Sequence, residues 1–431
     1  MNTTKRNNVM KGGHALILLL VMFLCISLFA PAEMAADDNP LFKYKPYVPV
    51  VKELKKIFED HHKVRKAFSA AIKKVKALPP NPREKPRKNV WEKRTYTEFC
   101  NFFNNWYDFL ATPEKAGLGF ITPFTSFYYN NHKAFHFLNE FELHGKKVIF
   151  DWTVKFIVER GKFMDTPSPQ ASEAIKEWVT DPATHIDDFI MPDGGYKTFN
   201  DFFARLLRPG ARPISAVGDE SVVVSPADSE LNMINSILTE SSKIPTKGTQ
   251  KLGIKDLLNN YPGWDVFLYG NALSCVLLPA NYHHYHAPVT GNLIHSEIVP
   301  GLYNGIEDAP EWFHNGNVGS SDADFSIFEQ FHRGIFIFRT KKFGDVAMVV
   351  VGLNTISEIG FEMSSVNTLE QYTNASPQEP IQVFKGDRLG YFKYGGSLNI
   401  LLFQHGVYEG VKVHQGQRIG TMNPPTKPSA K

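Results

Sequence analysis

Cysteine is scarce: the 431 residues contain three, Cys25, Cys100 and Cys275, and no two form a Cys-x-x-Cys pair. A disulfide framework is thereby excluded, and so are the paired thiolates of a structural zinc site. Cys25 falls in an apolar N-terminal run, which leaves one conceivable bridge, Cys100 to Cys275. Surplus charge is missing as well. With 47 Lys and Arg against 44 Asp and Glu, the formal net charge is +3, and no global basic field announces nucleic acid. Gly-x-Ser-x-Gly, His-Glu-x-x-His and any phosphate-cradling glycine loop are absent, and with them the hydrolase elbow, the zinc-protease pattern and the nucleotide folds. At 43% hydrophobic and 21% charged, the chain is neither disordered, nor collagen-like, nor a multi-span membrane protein.

The longest uncharged run is Ala15 to Ala30, preceded by Lys5, Arg6 and Lys11 and followed by the small-residue pattern Ala30-Pro31-Ala32. This is the pattern of a secretory signal. It is short of the ~20 residues a helix needs to cross a bilayer, which favours a cleaved signal over a retained anchor. Leu24 is too large for a lipoprotein site at Cys25. Residues 1–32 are therefore expected to be a signal peptide or membrane anchor, and the protein to be exported, periplasmic or membrane-associated.

Residues 33–95 form a basic segment. Between 63 and 94 there are 12 Lys and Arg against two Asp and Glu, with a proline-rich break in LPPNPREKPRK. KVRKAFSAAIKKVKAL reads as a basic amphipathic helix, either lying on an anionic lipid surface or presenting a solvated face. Residues 96–196 are expected to be helical and aromatic-rich. Phe99, Phe102, Phe103, Trp106, Tyr107 and Leu110 share one helical face, a pattern that favours core over a ligand box. Further helices are expected near 146–160 and 172–179. After about residue 199 short apolar runs bounded by turn residues replace the helical pattern: Val222–Val224, Ser274–Leu278, Gly334–Phe338, Ala347–Leu353 and Leu398–Phe403. The fold class is α+β, a helical N-terminal extension followed by a β-rich core over 197–431.

Three stretches could carry chemistry. In Pro279-Ala-Asn-Tyr-His-His-Tyr-His-Ala-Pro, His284 and His286 face one side of an extended chain and His283 the other. Proton transfer, a metal site and a structural loop are the alternatives; no third ligand at suitable spacing supports a metal, so none is expected. Tyr394-Gly-Gly-Ser397 leads into an apolar strand, and a tight turn is its ordinary meaning. Ser225-Pro-Ala-Asp228 is either a turn or the orienting acid of a Ser/His/Asp set.

Together with Thr198-Phe-Asn-Asp-Phe-Phe-Ala-Arg205, Leu207-Arg-Pro-Gly-Ala-Arg-Pro213 and Lys385-Gly-Asp-Arg-Leu-Gly, these stretches resemble the phosphatidylserine decarboxylase family of pyruvoyl-dependent enzymes, from about 197 to 420. The aromatic helical segment and Asp151-Trp152 resemble the extension of one branch, some of whose members decarboxylate free aromatic amino acids. The resemblance implies self-cleavage between Gly396 and Ser397, driven by a triad of Asp228, His286 and Ser397, with His283 serving decarboxylation. Ser397 would become a covalent pyruvoyl cofactor heading a small α-chain, and the β-chain would end at Gly396. Three positions depart from the usual pattern: Asn281 for Asp, Ser229 for Gly and Leu398 for Thr or Ser. The expected substrate is phosphatidylserine at a membrane surface, giving phosphatidylethanolamine and CO₂. A soluble amino-acid decarboxylase and a non-catalytic exported binding protein are the alternatives, no nucleic acid is expected as a partner, and a homo-oligomer is left open.

Overall fold

A capping box starts the central helix of the N-terminal part. Glu98 accepts a hydrogen bond from the Thr95 amide at 2.8 Å, and Thr95 Oγ1 accepts from the Thr97 amide. From there Tyr96–Tyr107 runs as helix with its aromatic stripe inward, in a computed structural model that describes residues 39–77, 88–113, 118–235, 253–303, 332–353, 359–362, 375–393, 396–411 and 415. The apolar run at 15–30, the proline-rich break at 79–87 and residues 394–395 lie outside the described residues.

Seven helices precede the β-rich part among the described residues: α1 (Pro49–Asp60), α2 (His62–Ile72), α3 (Tyr96–Tyr107), α4 (Leu118–Tyr128), α5 (His132–Asn139), α6 (Val148–Met164) and α7 (Pro169–Thr180). They close around a core of rings. Phe99 lies within 5.0–6.2 Å, centroid to centroid, of Phe58, Phe68, Trp91, Phe103, Phe127 and Phe137. The aromatic stripe is thus core, as its spacing suggests. Val64, Phe68, Ala71 and Val75, the apolar stripe of the basic segment, are buried in the same cluster, while Lys63, Lys66, Lys73, Lys74 and Lys76 stay exposed. That stripe is therefore occupied by protein and cannot also lie on lipid.

The β-rich part is two antiparallel sheets with a layer of buried apolar side chains between them. The larger has the order β1-β2-β10-β6-β5-β4-β8, from β1 (Glu230–Asn235), β2 (Asn271–Leu277), β4 (Gly291–Val299), β5 (Arg333–Arg339), β6 (Asp345–Leu353), β8 (Ile381–Val383) and β10 (Gly396–Phe403). The smaller is β3 (His284–His286), β9 (Arg388–Phe392) and β7 (Ile359–Phe361), in the order β3-β9-β7. Side chains alternate across the large sheet: Leu398, Ile400 and Leu402 enter one core cluster, Leu401 and Phe403 the other.

Four expected strands are present, within β2, β5, β6 and β10. Val222–Val224 is not a strand. Lys385 Nζ donates to the carbonyls of Asp219 at 2.7 Å and Val222 at 3.2 Å, and the Val224 amide donates to Pro288, so this backbone is bound outside any ladder. The Cys100–Cys275 bridge is not formed; both thiols are free and buried, one in α3 and the other in β2. No described helix is long and apolar enough to cross a membrane.

Replacing Phe99 by Ala removes the ring on which six others pack. It is expected to lower stability by about 3–5 kcal/mol, read as a fall in the urea midpoint at unchanged slope.

Candidate active site

Ser397 is the second residue of β10, flanked on both sides by ladder partners, Leu277 of β2 and Gly352 of β6. Its side chain is 1% exposed. His283 reaches it from the turn that follows β2. That turn is closed by Asn281, whose amide oxygen accepts from the Leu278 amide at 2.5 Å while its own N–H donates to Leu278 at 2.9 Å. The asparagine thus supplies the capping oxygen that an aspartate would, without the charge. A short helix, α8 (Phe199–Phe203), lays the Phe203 ring on the His283 imidazole at 3.8 Å. Next to it, buried Arg205 donates from Nη2 to the carbonyls of Ala280 at 2.7 Å and Asn281 at 3.3 Å, fixing the turn.

The contact that matters most is His283 Nδ1 to Ser397 Oγ, 3.4 Å. The other nitrogen, Nε2, faces the Pro279 carbonyl at 3.4 Å, which can only accept. Nε2 therefore carries the hydrogen, and the Nδ1 lone pair points at the hydroxyl. Burial, reinforced by the Arg205 guanidinium, pushes the His283 pKa down to about 3, so the ring is neutral near pH 7.

The other two histidines face away, as the alternation of an extended chain requires. His284 donates from Nε2 to the Ala204 carbonyl at 3.0 Å and stacks on Tyr282; burial lowers its pKa to about 3. His286 donates from Nδ1 to Gly386 at 2.7 Å, and Nε2 accepts from the Tyr282 hydroxyl at 3.2 Å. Gly386 sits at φ +91°, where a side chain would be strained and would also strike Ile214. The three imidazoles do not converge on one centre.

Asp228 is brought near His286 by the backbone, since the His286 amide donates to Pro226 at 2.8 Å, and its charge opposes the burial that lowers the His286 pKa. Its hydrogen bonds nevertheless go to Arg212, from Nε at 3.0 Å and Nη2 at 2.8 Å, and Arg212 also binds Asp188 at 2.7 Å. The structure thus brings His283 and Ser397 together. It does not join Asp228 to His286, or either of them to Ser397. Ser229 turns back to the Ala227 carbonyl, and Leu398 points to the far side of the sheet, so neither departure touches the serine. Arg205, Phe203, Tyr282 and Arg212 have no role in the sequence reading. The two arginines lie inside the quoted 198–213 stretch, and an arginine among apolar residues was the available sign.

A cleft of about 610 Å³ opens beside this centre, lined by Asp165, Lys197, Arg205, Glu362, Arg388 and Lys393 among others. Acid and base are both present: Arg388 pairs with Glu362 at 2.7 Å and Lys393 with Asp165 at 3.5 Å.

The family model for phosphatidylserine decarboxylase matches residues 199–421, from the start of α8 past the end of β10. The chain belongs to that family. It is 29% identical over 256 residues to phosphatidylserine decarboxylase proenzyme 2 of Oryza sativa subsp. japonica, covering 58% of this chain and 36% of the rice protein. It is 32% identical over 236 residues to the phosphatidylserine decarboxylase proenzyme of Fusobacterium nucleatum, covering 55% of this chain and 69% of that one. With the proenzyme of Clostridium novyi it shares 30% over 244 residues, 57% and 72% of the two chains. Asp228, His283, His286 and Ser397 all fall inside the matched range, and α1 to α7 precede it.

Histidines buried neutral bind their protons more readily once unfolded. With folded values near 3 for His283 and His284 against an ordinary 6.5, stability is fully present above pH 6.5 and is lost as pH falls towards 3. Urea unfolding at pH 5 against pH 7 is expected to show a loss of about 1–2 kcal/mol per histidine, reduced by about half in a His284→Gln variant.

Proposed function

We propose that the chain is a self-cleaving pyruvoyl-dependent decarboxylase that converts phosphatidylserine to phosphatidylethanolamine and CO₂. The observation that carries this is the buried Ser397, next after Gly396, with the neutral His283 imidazole beside its hydroxyl, where decarboxylation at position 397 would need a proton carrier. Transfer of the hydroxyl proton to a base, His286 oriented by Asp228 in the family pattern, frees Oγ to attack the Gly396 carbonyl carbon. The peptide nitrogen of Ser397 leaves that carbon, and an ester joins the two residues. Loss of the Ser397 Cα proton expels the Gly396 carboxylate, and hydrolysis of the resulting enamine releases ammonia and leaves a keto group at 397.

Residues present here fit that group, which is made from the chain itself. The chemistry it supplies is a carbonyl that captures the substrate amine and accepts the electron pair left by CO₂. His283, already beside position 397, can hold and return the proton that replaces CO₂. Phe203 and Arg205 fix the imidazole and exclude water from its outer face. The family pattern gives self-cleavage to Asp228 and His286, which requires the His286 ring to leave Gly386 and Tyr282. Arg388 and Lys393 on the wall of the cleft suit a head group that carries both a phosphate and a carboxylate, which would compete with Glu362 and Asp165 for them. An N-terminal signal or anchor and the exposed lysines of α2 would bring the protein to an anionic bilayer outside the cytoplasm.

The test is the intact mass under denaturing conditions. The wild type is expected as two chains, a 35-residue piece headed by a pyruvoyl-blocked residue 397 and a β-chain ending at 396, and Ser397→Ala as one uncut chain. His286→Ala and Asp228→Asn are expected uncut, and His283→Ala cut but lowered in turnover by on the order of 10²–10⁴-fold. An uncut His283→Ala beside a cut His286→Ala would exchange the two roles. Activity on phosphatidylserine vesicles, with none on tryptophan, fixes the substrate. The reverse result assigns a free amino acid, and an uncut wild type leaves only a binding protein.

A further inference from the structure

The cleft beside the candidate site has an apolar lip. Phe189 and Leu207 face each other in an isolated antiparallel bridge, and the Ile190 amide donates to the Leu206 carbonyl at 2.8 Å, so Ile190 and Leu206 form the next opposed pair. Phe189 turns inward, its ring under the Arg205 guanidinium at 4.1 Å. Ile190 and Leu206 turn outward, 45% and 43% exposed, and Met191 is 41% exposed. Both members of the pair line the cleft. Single exposed aliphatic side chains are ordinary, whereas three on one bridge at the mouth of one cleft mark a contact surface. The lip is also held in place. The Tyr196 hydroxyl donates to the Ile190 carbonyl at 2.9 Å, Arg208 Nε donates to the Phe189 carbonyl at 2.9 Å, and Leu206 directly follows the Arg205 that ties down the His283 turn.

The order of polarity through the cleft names what covers the lip. Arg388 and Lys393 stand on the wall, and the aliphatic groups stand at the mouth. A small polar substrate has no use for an apolar mouth. A phospholipid whose anionic end reaches the two cations leaves its glycerol and acyl chains there, so polarity is matched at both ends. Charge at the lip itself is mixed: Asp187, Asp193, Lys197 and Arg208 are all exposed around it, so apolar burial is the attraction this surface offers. We propose that Ile190, Met191 and Leu206 enter the acyl region of a phospholipid bilayer and let the lipid pass from the leaflet into the cleft without crossing water. The inference rests on the phosphatidylserine reading above and names the surface through which that substrate arrives.

The experiment uses the full chain carrying Cys25→Ser. Cys100 and Cys275 are buried, so Met191→Cys offers an accessible thiol for a polarity-sensitive maleimide dye. On vesicles of phosphatidylcholine and phosphatidylserine the dye is expected to brighten and shift to the blue, at low and high salt alike, because apolar burial is not screened. The same dye at Val266→Cys, a similarly exposed aliphatic position between Trp264 and Phe267 over the opposite core, is expected not to respond. In Ile190→Ser/Leu206→Ser the ratio of decarboxylation on vesicles to decarboxylation of short-chain, monomeric phosphatidylserine is expected to fall on the order of 10-fold, with the melting temperature kept. Either single substitution replaces the pair if the double variant fails to fold. A silent dye at 191 on vesicles that the protein binds overturns the proposal, and so does an unchanged ratio. A blue shift without vesicles that grows with protein concentration overturns it too, since a second copy then covers the lip. A wild type inactive on both forms of phosphatidylserine, with the dye at 191 still responding to vesicles, would instead overturn the phosphatidylserine reading.

Discussion

Removing a guanidinium from water is costly unless its donors are matched and its faces covered; Arg205 has both faces covered and both Nη groups bonded, with Nε alone left unpaired, and the rest of the site inherits that arrangement. Its nitrogens reach the carbonyls of Phe202, Ala280 and Asn281, and its plane lies over the rings of Phe189 and Phe202 at 4.1 and 4.7 Å. One side chain thus ties the end of α8 to the turn that carries His283. The same charge helps keep His283 neutral. Without that clamp the imidazole would lose its orientation and would take up a proton more readily.

The organisation of the centre is layered. β10 supplies a rigid line of backbone with Ser397 at its head, the turn after β2 delivers one histidine, and the bulged β3 carries two others to a different environment. Tyr282 links the two on β3, stacking on His284 and donating to His286. Adjacent residues of identical type therefore hold different hydrogen bonds and face different neighbours, and burial rather than direct charge pairing sets all three pKa directions.

Much of this was visible in the residues themselves. Helical spacing from Phe99 to Tyr107 and the apolar runs that became β2, β5, β6 and β10 declared themselves because burial imposes a period on sequence, whereas Leu110 falls beyond the helix end and packs in a different cluster. The opposed directions of His283 and His286 followed from the period of an extended chain. The partner of each histidine did not, since contacts such as His283 with Ser397 join positions 114 residues apart. Val222–Val224 has the composition of a strand, but its Val222 carbonyl is taken by Lys385 and its Val224 amide by the Pro288 carbonyl. The basic stripe of α2 was ambiguous for a similar reason: an amphipathic pattern specifies that one face is covered, and here Phe58, Phe99 and Phe137 cover it.

The place of β10 in the large sheet also bears on how the protein holds together. Its residues pair with β2 over seven positions and with β6 over eight. A cut before Ser397 would leave the smaller chain as an interior strand, retained by ladders on both sides and by its own buried side chains. Unfolding would then become a dissociation, with a molecularity of two on the return path. The refolding piece would have to insert between strands already formed, rather than arrive tethered to its neighbour. Such a molecule keeps its shape through a slow exit from the native state, and its assembly is a single event in the life of the chain.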